Sequence, residues 1–459
     1  MYLSLCLIVK NENNYLQEWI DYHILLGVEH FWIYDNESTI PVENTLKTYI
    51  QSGWVTVHHI EGRVVQMYAY DHCIQTYGRL SKWIGFLDTD EFIVPHTPNL
   101  LSTYLRDFEQ YGGFAISSLF FGDNGHKHSP PAGQIAGYRK RTPERFSRNR
   151  FVKMIVQPEK VIYPISPHSF LFKEGAYCVN EKKLRVDAQE FPCHADSIHI
   201  NHYFTRSEEE WKIKMARGGG AGIQYSEDHW ANVNRFSTVE DNRAIELIKS
   251  IIQNHYREHL PASDDFEGDL PQILHEVAAH VPVPELPSIE NENQNDIHPR
   301  QELVDYFRTS EQGISFLNSG QLMEARQFYA NEISRFPFDV TRYTNFAAVC
   351  IQMGDLQTAW PALAEAWRIA PKSLYVLLCM TDYFYAIGNF AQAEKTSLLA
   401  ASQGDLEPNA IAILALSQWK QGKIKEAISS AEPLMKYADQ RINKNPYISE
   451  ILSLINQTN

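Results

Sequence analysis

The chain lacks the features that mark secreted and membrane-spanning proteins. Its six cysteines are scattered without a CxxC pair, which is typical of free thiols in a reducing cytoplasm. No stretch approaches the roughly 20 apolar residues that span a bilayer. The N-terminal run MYLSLCLIVK has no basic residue before its apolar part, so it predicts a core strand and not a signal peptide. We therefore expect a cytoplasmic protein.

Charge and composition narrow the class further. The formal net charge is −15, which argues against broad nucleic-acid binding because that function needs a basic face. The hydrophobic content of 44% and the aromatic content of 12% suffice for packed cores, so the chain is globular. A length of 459 residues predicts two or three domains.

The C-terminal third repeats at a fixed interval of about 34 residues. Four glycines keep this interval, namely Gly320, Gly354, Gly388 and Gly422. Four alanines keep it too, namely Ala325, Ala359, Ala393 and Ala427. A glycine lets the chain turn between antiparallel helices, and an alanine lets the second helix approach the first. The pattern predicts about four tetratricopeptide-type repeats and a closing helix, which together form an all-α repeat domain over 301–459.

A linker separates the repeats from the first part of the chain. The segment HVPVPELPSIENENQNDIHPR, residues 280–300, begins with closely spaced prolines and continues as a polar, acidic run. This composition is typical of linkers. We therefore predict one domain at 1–280, a linker at 281–300 and the repeat domain after it.

The first 280 residues are predicted to form an α/β domain. The segments SLCLIVK, HFWIYDN, WVTVHHI and WIGFLDTDEFIV are short apolar runs typical of buried strands. A helical pattern lies between the first two. Alternating strands and helices predict a largely parallel sheet, whose ligands bind at the carboxyl ends of the strands.

Two aspartates end the last of these apolar runs. Asp88 and Asp90 are two residues apart, so in an extended chain they would share a face while Thr89 points away. Paired carboxylates at a strand end are hard oxygen ligands suited to Mn²⁺ or Mg²⁺. The sequence therefore predicts a divalent-metal site here.

Several separated motifs resemble one group of enzymes. LCLIVKNENNYLQEWIDYHILLGVEHFWIYDNES, KWIGFLDTDEFIVP, KMIVQPEKV and HINHYFTRSEEEWKIKMARG are similar to segments of GT-A-fold glycosyltransferases, in the group related to families 2 and 92. The similarity covers roughly residues 1–245 and excludes the repeats. It implies a GT-A-type nucleotide-sugar-binding domain.

The resemblance also implies roles at the matched positions of the donor pocket. Lys10, Asn11 and Glu12 are implied to line the pocket for the base and the diphosphate. Asp35 is implied to approach the nucleoside. The metal that bridges the diphosphate is implied to sit on Asp88 and Asp90.

One histidine and one lysine are added to this set. His202, in the NHY element, matches the family better than His168 or His199 and is expected as a further metal ligand. Lys153 ends the basic run YRKRTPERFSRNRFVK and is interpreted as a contact to the donor phosphates. The rest of that run is either a contact to phosphate, to an anionic acceptor or to a membrane surface, or a solvated loop.

The sequence alone does not decide which residue is the general base. The candidates are Glu91, the run Glu208, Glu209 and Glu210, and the two aspartates Asp228 and Asp241. Asp228 and Asp241 each follow a glutamate, and enzymes of family 2 often use the aspartate of such a segment as base. Glu209 lies in a run, 208–210, that also fits the first turn of a helix capped by Ser207, where acids favour the helix dipole.

The resemblance implies an inverting transfer of a sugar from a nucleotide donor, which we expect to be a UDP-sugar, to a glycan or a lipid-linked acceptor. A lipid-linked acceptor would bring the protein to the inner face of the membrane. The repeats would bind a partner protein or the acceptor, or would self-associate. One alternative is an inactive scaffold that acts through its repeats. A nucleotidyltransferase is disfavoured because the segment after the first strand, Lys10 to Asn14, has no glycine.

Overall fold

The computed structural model describes residues 1–218, 224–260, 265–286, 297–403, 408–435 and 446–457. The chain divides into two compact units. The first contains Met1–Lys183 and Ala188–Gln301, and the second contains Leu184–Asp187 and Glu302–Asn459. Residues 287–296 of the predicted linker lie outside the described part of the chain, so the linker at 281–300 stays a prediction.

Strands and helices alternate through the first part of the chain, as its apolar runs predict. These elements are β1 (Leu3–Val9), α1 (Asn13–Leu25), β2 (His30–Asp35), α2 (Val42–Ser52), β3 (Val55–His59), α3 (Gln66–Tyr77), β4 (Trp83–Phe86) and β5 (Glu91–Pro95). The next elements are α4 (Leu101–Leu105), β6 (Gly113–Phe120), α5 (Gly133–Gly137), β7 (Lys140–Arg141), β8 (Val152–Val156), β9 (Val161–Ser166), β10 (Ser169–Phe172), β11 (Cys178–Val179), β12 (Arg185–Val186) and β13 (Ile198–His202). They are followed by α6 (Glu208–Arg217), α7 (Glu227–Phe236), β14 (Val239–Glu240), α8 (Arg243–His255) and α9 (Leu270–Ala278).

The central sheet is mixed but mostly parallel. β3, β2, β1 and β4 lie side by side in that order and run parallel. β8 lies antiparallel between β4 and β6, and β13 pairs with both β6 and β5. The predicted α/β class is therefore confirmed. The strand order changes direction between β1 and β4, and a ligand crevice is expected outside the carboxyl ends of such neighbouring strands.

Helix α1 holds the acidic end of this sheet in place. Leu16, Trp19 and Ile20 lie on its buried face, so the helix packs on the sheet through apolar contacts. The Trp19 indole N–H donates to the Glu91 carbonyl at 2.8 Å, and the Tyr22 hydroxyl donates to the Ile93 carbonyl at 2.7 Å. These bonds fasten β5 to α1.

The second unit is built of helices. They are α10 (Gln301–Asn318), α11 (Leu322–Arg335), α12 (Val340–Gln352), α13 (Leu356–Ile369), α14 (Leu374–Ala386), α15 (Phe390–Ala401), α16 (Pro408–Lys420), α17 (Ile424–Met435) and α18 (Pro446–Asn456). The first eight form four successive pairs, and α18 follows them. The predicted series of helical repeats with a closing helix is confirmed. No helix in the described part of the chain has the length and apolar character required to cross a lipid bilayer.

The repeat signal has two physical causes. Each of the four periodic glycines lies just after the first helix of a pair with φ between 69° and 78°, a region that L side chains adopt only at a cost. A Cβ placed on any of them would meet no atom within 4 Å, so conformation and not space demands glycine. The four periodic alanines are fully buried in the second helix of each pair, where a small residue permits close packing.

Candidate functional site

The acidic segment after β4 forms a tight turn. The Glu91 amide donates to the Asp88 carbonyl at 3.0 Å, and the Asp88 amide donates to Glu91 Oε2 at 3.0 Å. The expectation of an extended chain with both aspartates on one face is therefore wrong, because these two bonds fold the segment back. Asp88 and Asp90 consequently have different neighbours.

A buried lysine balances the charge on Asp88. Lys153 on β8 places its ammonium 2.8 Å from Asp88 Oδ2 and 3.1 Å from Glu91 Oε2. Burial opposes the charge of this lysine, but the two carboxylates outweigh it and raise its pKa well above the ordinary value. Burial likewise opposes ionisation of Asp88, and Lys153 outweighs it, so the pKa of Asp88 lies below its ordinary value. The Asp88 side chain remains 37% exposed, which leaves it open to a ligand.

A second lysine neutralises Asp90. The Lys214 ammonium, on α6, lies 2.9 Å from Asp90 Oδ2 and donates to the Phe204 carbonyl at 2.9 Å. The same ammonium lies over the rings of Phe204 and Tyr225, at 4.5 and 5.4 Å from their centroids. Burial opposes ionisation of Asp90, but Lys214 and His202 outweigh it and hold the pKa of Asp90 well below its ordinary value.

His202 lies between two of the carboxylates. In the pairing of β13 with β5, His202 is opposite Glu91, and its Nδ1 lies 3.6 Å from Glu91 Oε1. Its Nε2 lies 3.7 Å from Asp90 Oδ1. Glu91 Oε1 is buried without a hydrogen-bond partner among the described residues, and burial raises the pKa of this carboxyl.

The donor set of this cluster fits a divalent cation. Two ligand atoms about 2.1 Å from one ion, at right angles, lie about 3 Å apart, and the 3.7 Å between Asp90 Oδ1 and His202 Nε2 is close to this separation. Oxygen and imidazole nitrogen together suit Mn²⁺ or a related ion. Because Lys214 binds the other oxygen of Asp90, Oδ1 is left to face His202.

Glu12 connects the end of β1 to this cluster. It is buried and pairs with Arg206 and Arg217, each at 2.7 Å. The Thr89 hydroxyl, between the two aspartates, donates to Glu12 Oε2 at 3.0 Å. Burial opposes the charge of Glu12, but the two guanidinium groups outweigh it and lower its pKa. Glu12 therefore braces the pocket edge through its neighbours.

Lys10 and Asn11 also lie at this edge. The Lys10 ammonium is 3.5 Å from Glu37 and its side chain is 38% exposed. Asn11 has φ 58°, and its amide N–H donates to the Ser38 hydroxyl at 2.9 Å. Its side-chain carbonyl accepts from the Thr39 amide at 2.7 Å, so it joins the loops after β1 and β2.

Asp35 ends β2 beside these residues. Its two oxygens accept backbone N–H bonds from Ser38 at 3.0 Å and from Val42 at 3.3 Å, so it shapes the loop before α2. Its carboxylate, the carboxylate of Glu43 and the imidazole of His59 offer ligand atoms within 4.8 Å of one another. The 2.5 Å ion pair of His59 with Glu43 and the two backbone bonds of Asp35 explain this grouping.

Of the candidate bases, Glu91 is buried beside Lys153, and Asp241, Glu209 and Asp228 have surroundings that differ from one another. Asp241 accepts from Arg141 at 2.6 Å and from Arg243 at 2.9 Å; burial opposes its charge, yet these arginines outweigh burial and lower its pKa strongly. Glu209 is exposed and accepts from His128 at 2.8 Å. The expected cap of α6 is confirmed, since Ser207 and Glu210 form a capping box.

Asp228 lies exposed in the first turn of α7. Val233 of this helix packs in a hydrophobic cluster with Phe120, Phe204 and Trp211. The ring of Phe120 contacts that of His202, with centroids 4.5 Å apart. Asp228 therefore extends from a helix whose packing partners also contact the acidic cluster.

The other two histidines considered have structural contacts. His168 Nδ1 lies 2.8 Å from the Val152 carbonyl, and burial together with Lys153 lowers its pKa to about 3. His199 is buried between His96 and Asn201, at 2.8 Å from each.

Two cations of the site were not predicted, namely Arg206 and Lys214. Both lie in the segment HINHYFTRSEEEWKIKMARG, where the predicted catalytic and metal-binding residues were acids and histidines. A search of that segment for cations would have found them, because adjacent buried carboxylates require positive partners.

A mostly parallel α/β sheet with charged side chains at its switch point is typical of domains that bind a ligand in that crevice. The model of glycosyltransferase family 92 matches residues 2–236. This chain belongs to that family.

Curated relatives agree with this assignment. A family 92 protein of Ricinus communis is 29% identical over 224 residues, which cover 47% of this chain and 37% of that protein. A family 92 protein of Oryza sativa subsp. japonica is 27% identical over 290 residues, 56% of this chain and 46% of that one. The chain thus spans less than half the length of these relatives. The galactan beta-1,4-galactosyltransferase GALS2 of Arabidopsis thaliana is 32% identical over 114 residues, which cover 23% of this chain and 22% of that protein.

Solved structures resemble the chain as well. A thermophilic TPR protein of Thermus thermophilus covers 46% of this chain and 90% of its own length, with a TM-score of 0.27 and 14% identity.

Proposed function

We propose that the first unit is a GT-A-type glycosyltransferase domain that transfers a sugar from a UDP-sugar to a glycan or lipid-linked acceptor with inversion. The observation that carries this proposal is the cluster of Asp88, Asp90 and His202 at the carboxyl end of β4, within a chain of family 92. The similarity to a galactan beta-1,4-galactosyltransferase makes a galactose donor the first to test.

Asp90 and His202 would hold Mn²⁺ or Mg²⁺, which stabilises the negative charge that develops on the leaving diphosphate. Lys214 keeps Asp90 ionised and orients its Oδ1 toward His202. Lys153 keeps Asp88 ionised from inside the sheet. The exposed edge of Asp88 is where the donor's diphosphate would lie.

Asp228 is the base that the surroundings favour. A general base must be free to accept the proton of the acceptor hydroxyl. Asp241 is held by two arginines that stabilise its charged form, and Glu209 pairs with His128 on the surface. Asp228 is exposed on α7, whose Val233 packs in the hydrophobic cluster that contacts His202 through Phe120, and it accepts the proton as the acceptor oxygen attacks the sugar.

The repeats offer a second binding surface for a protein partner or for the acceptor glycan. The predicted alternative, a scaffold without activity, differs in one measurable respect. A scaffold does not need to bind a nucleotide with an affinity that depends on a metal ion.

Calorimetric titration of UDP with Mn²⁺ and then with EDTA tests the proposal. The wild-type protein should bind UDP more tightly with Mn²⁺, and Asp90→Asn should lose the effect of metal because it loses a charged ligand. Asp228→Asn should keep UDP binding and lose transfer from UDP-galactose by about 100-fold or more.

Asp339→Asn provides the matched control, because Asp339 is a buried aspartate of the repeat unit. It should leave UDP binding unchanged. Failure of the wild-type protein to bind UDP in either condition would refute the proposal and favour the scaffold.

A further inference from the structure

Arg206 donates hydrogen bonds both to the loop after β1 and to the turn at 88–91. It is buried, and its three nitrogens donate to three separate segments. Nη1 donates to Glu12 at 2.7 Å, Nη2 to the Thr89 hydroxyl at 3.2 Å and Nε to the Gln134 side-chain oxygen at 3.0 Å. The planar guanidinium group is suited to such fixed, divergent donation.

Other contacts hold Arg206 in this orientation. Its guanidinium group lies 3.7 Å from the ring centroid of Tyr15 on α1. Gln134 in turn donates to the Thr89 carbonyl at 3.1 Å. Thr89 is thus bound through its hydroxyl and its carbonyl by one connected set of side chains.

The backbone at Arg206 is held in an unfavourable conformation. Its φ is 49°, in the left-handed region, which costs an L residue about 1–2 kcal/mol. Such conformations persist only where the surroundings impose them, and they cluster at functional sites. Arg206 lies between β13 and α6, and its backbone conformation directs its side chain toward Thr89.

We infer that Arg206 is a positioning residue that couples the loop after β1, residues 10–12, to the turn at 88–91. The inference rests on the proposed function, in which the first loop borders the nucleotide and the second holds the metal. Thr89 lies between Asp88 and Asp90 in the chain. Holding Thr89 in place therefore also holds the backbone from which both carboxylate side chains extend. Because Glu12 belongs to the same loop as Lys10 and Asn11, its bond to the guanidinium group of Arg206 also holds the loop that borders the nucleotide.

The predicted consequence is thermodynamic linkage between metal and nucleotide. With both loops held by one group, Mn²⁺ on one side should strengthen UDP binding on the other. The quantity to measure is the ratio of the UDP dissociation constants without and with Mn²⁺, by calorimetry. A loss of folding alone would not alter this ratio in the folded fraction.

Three variants distinguish two properties of Arg206, namely its positive charge and its simultaneous hydrogen bonds to several segments. Arg206→Met removes both, and Arg206→Lys keeps the charge but cannot reach Glu12, Thr89 and Gln134 together. Thr89→Val keeps the shape of the side chain and removes the hydroxyl group. Loss of such outer contacts typically costs about 10- to 100-fold in metal affinity.

The matched control is Arg342→Met in the repeat unit. Arg342 is also a buried arginine, it pairs with Asp339 and Glu332, and it lies 4.8 Å from the ring centroid of Tyr306. This variant should keep the wild-type ratio.

Measured at saturating Mn²⁺, Arg206→Met and Arg206→Lys should lower the ratio by about 10-fold, and Thr89→Val should lower it as well. A wild-type ratio retained in folded Arg206→Lys and Thr89→Val would overturn the inference while leaving the proposed function intact. Absence of UDP binding by the wild-type protein would overturn the proposed function and the inference with it.

Discussion

Buried arginines occur in both units, but they connect residues at very different distances along the chain. In the repeat unit, Arg342 on α12 lies 3.2 Å from Asp339, which caps its own helix, and 3.8 Å from Glu332 on α11. In the first unit, the partners of Arg206 lie 194, 117 and 72 residues away. The first arrangement joins neighbouring helices, and the second joins distant loops.

This difference reflects how each unit is stabilised. A repeat array is stabilised by contacts within and between adjacent repeats, so its buried charges need only local partners. The site exists only after the sheet has assembled, because β1, β4, β8 and β13 supply its charges from separate parts of the chain. Variants at matched positions in the two units can therefore test how far the contrast extends.

The largest expected effect follows from removing the buried lysine of the site. Lys153→Met leaves Asp88 and Glu91 without their cation, so it should destabilise the first unit by about 3–5 kcal/mol. Hydrogen-exchange mass spectrometry should show reduced protection in β4 and β8 and unchanged protection in α12.

Lys249→Met is the control for this variant. Lys249 is 30% exposed and pairs with Glu246 and Glu267, so its loss should cost no more than about 1 kcal/mol. Equal effects of the two substitutions would contradict the importance of the buried position.

Each unit contains a buried carboxylic acid that should make the stability of that unit depend on pH. Burial raises the pKa of Glu18 to about 7 and that of Asp382 to about 6. Because the folded state then binds more protons than the unfolded state, stability should fall as the pH rises through each window. The windows run from 4.5 to about 7 for Glu18 and from 3.8 to about 6 for Asp382.

Glu18→Gln should remove about 3 kcal/mol of this fall from the first unit, and Asp382→Asn should flatten the profile of the repeats. Urea unfolding between pH 4 and 8, followed separately in each unit by hydrogen exchange, measures both. A pH profile unchanged by Glu18→Gln would show that the carboxyl group titrates normally in the folded protein.

The smallest expected effects on stability distinguish two reasons why a position requires glycine, namely backbone conformation and lack of space. Gly354 has φ 76° and open space around its Cβ position, so Gly354→Ala should cost about 1–2 kcal/mol. Gly354→Asn should cost less, since asparagine tolerates this region. Gly85 in β4 lacks space instead, because a Cβ there would lie 2.6 Å from Leu5 Cδ2.

Gly85→Ala should therefore destabilise the first unit by about 1–3 kcal/mol through overpacking, and Gly85→Asn should be worse. Thermal unfolding of the four variants provides the comparison. If asparagine were better than alanine at both positions, the distinction between conformation and space would be wrong.

Much of the architecture was predictable because its signals are local. The helix pairs follow from a period that repeats in Gly354 and Ala359, and the strands follow from short apolar runs. The acidic turn was also visible as Asp88 and Asp90, although its folded-back conformation was not. Local patterns report what each segment buries, and so they predict elements and their order.

The partners of the site residues were not predictable in the same way. Nothing near Asp90 in sequence indicates that Lys214, 124 residues away, neutralises it. The two acids Asp228 and Asp241 occur in similar sequence contexts, yet one is exposed and the other is held by Arg141 and Arg243. Their difference depends on which strand and helix lie beside each.

The sequence by itself determined the α/β unit, the helical repeats and the acidic segment that ends β4. Apolar periodicity and residue spacing act over a few residues, so they can be read from the chain directly. Only the tertiary structure decided which charges meet there, namely Glu12 with Arg206, Asp88 with Lys153 and Asp90 with Lys214. Electrostatic pairing depends on distance in space and on burial, and both are set only when the sheet brings distant segments together.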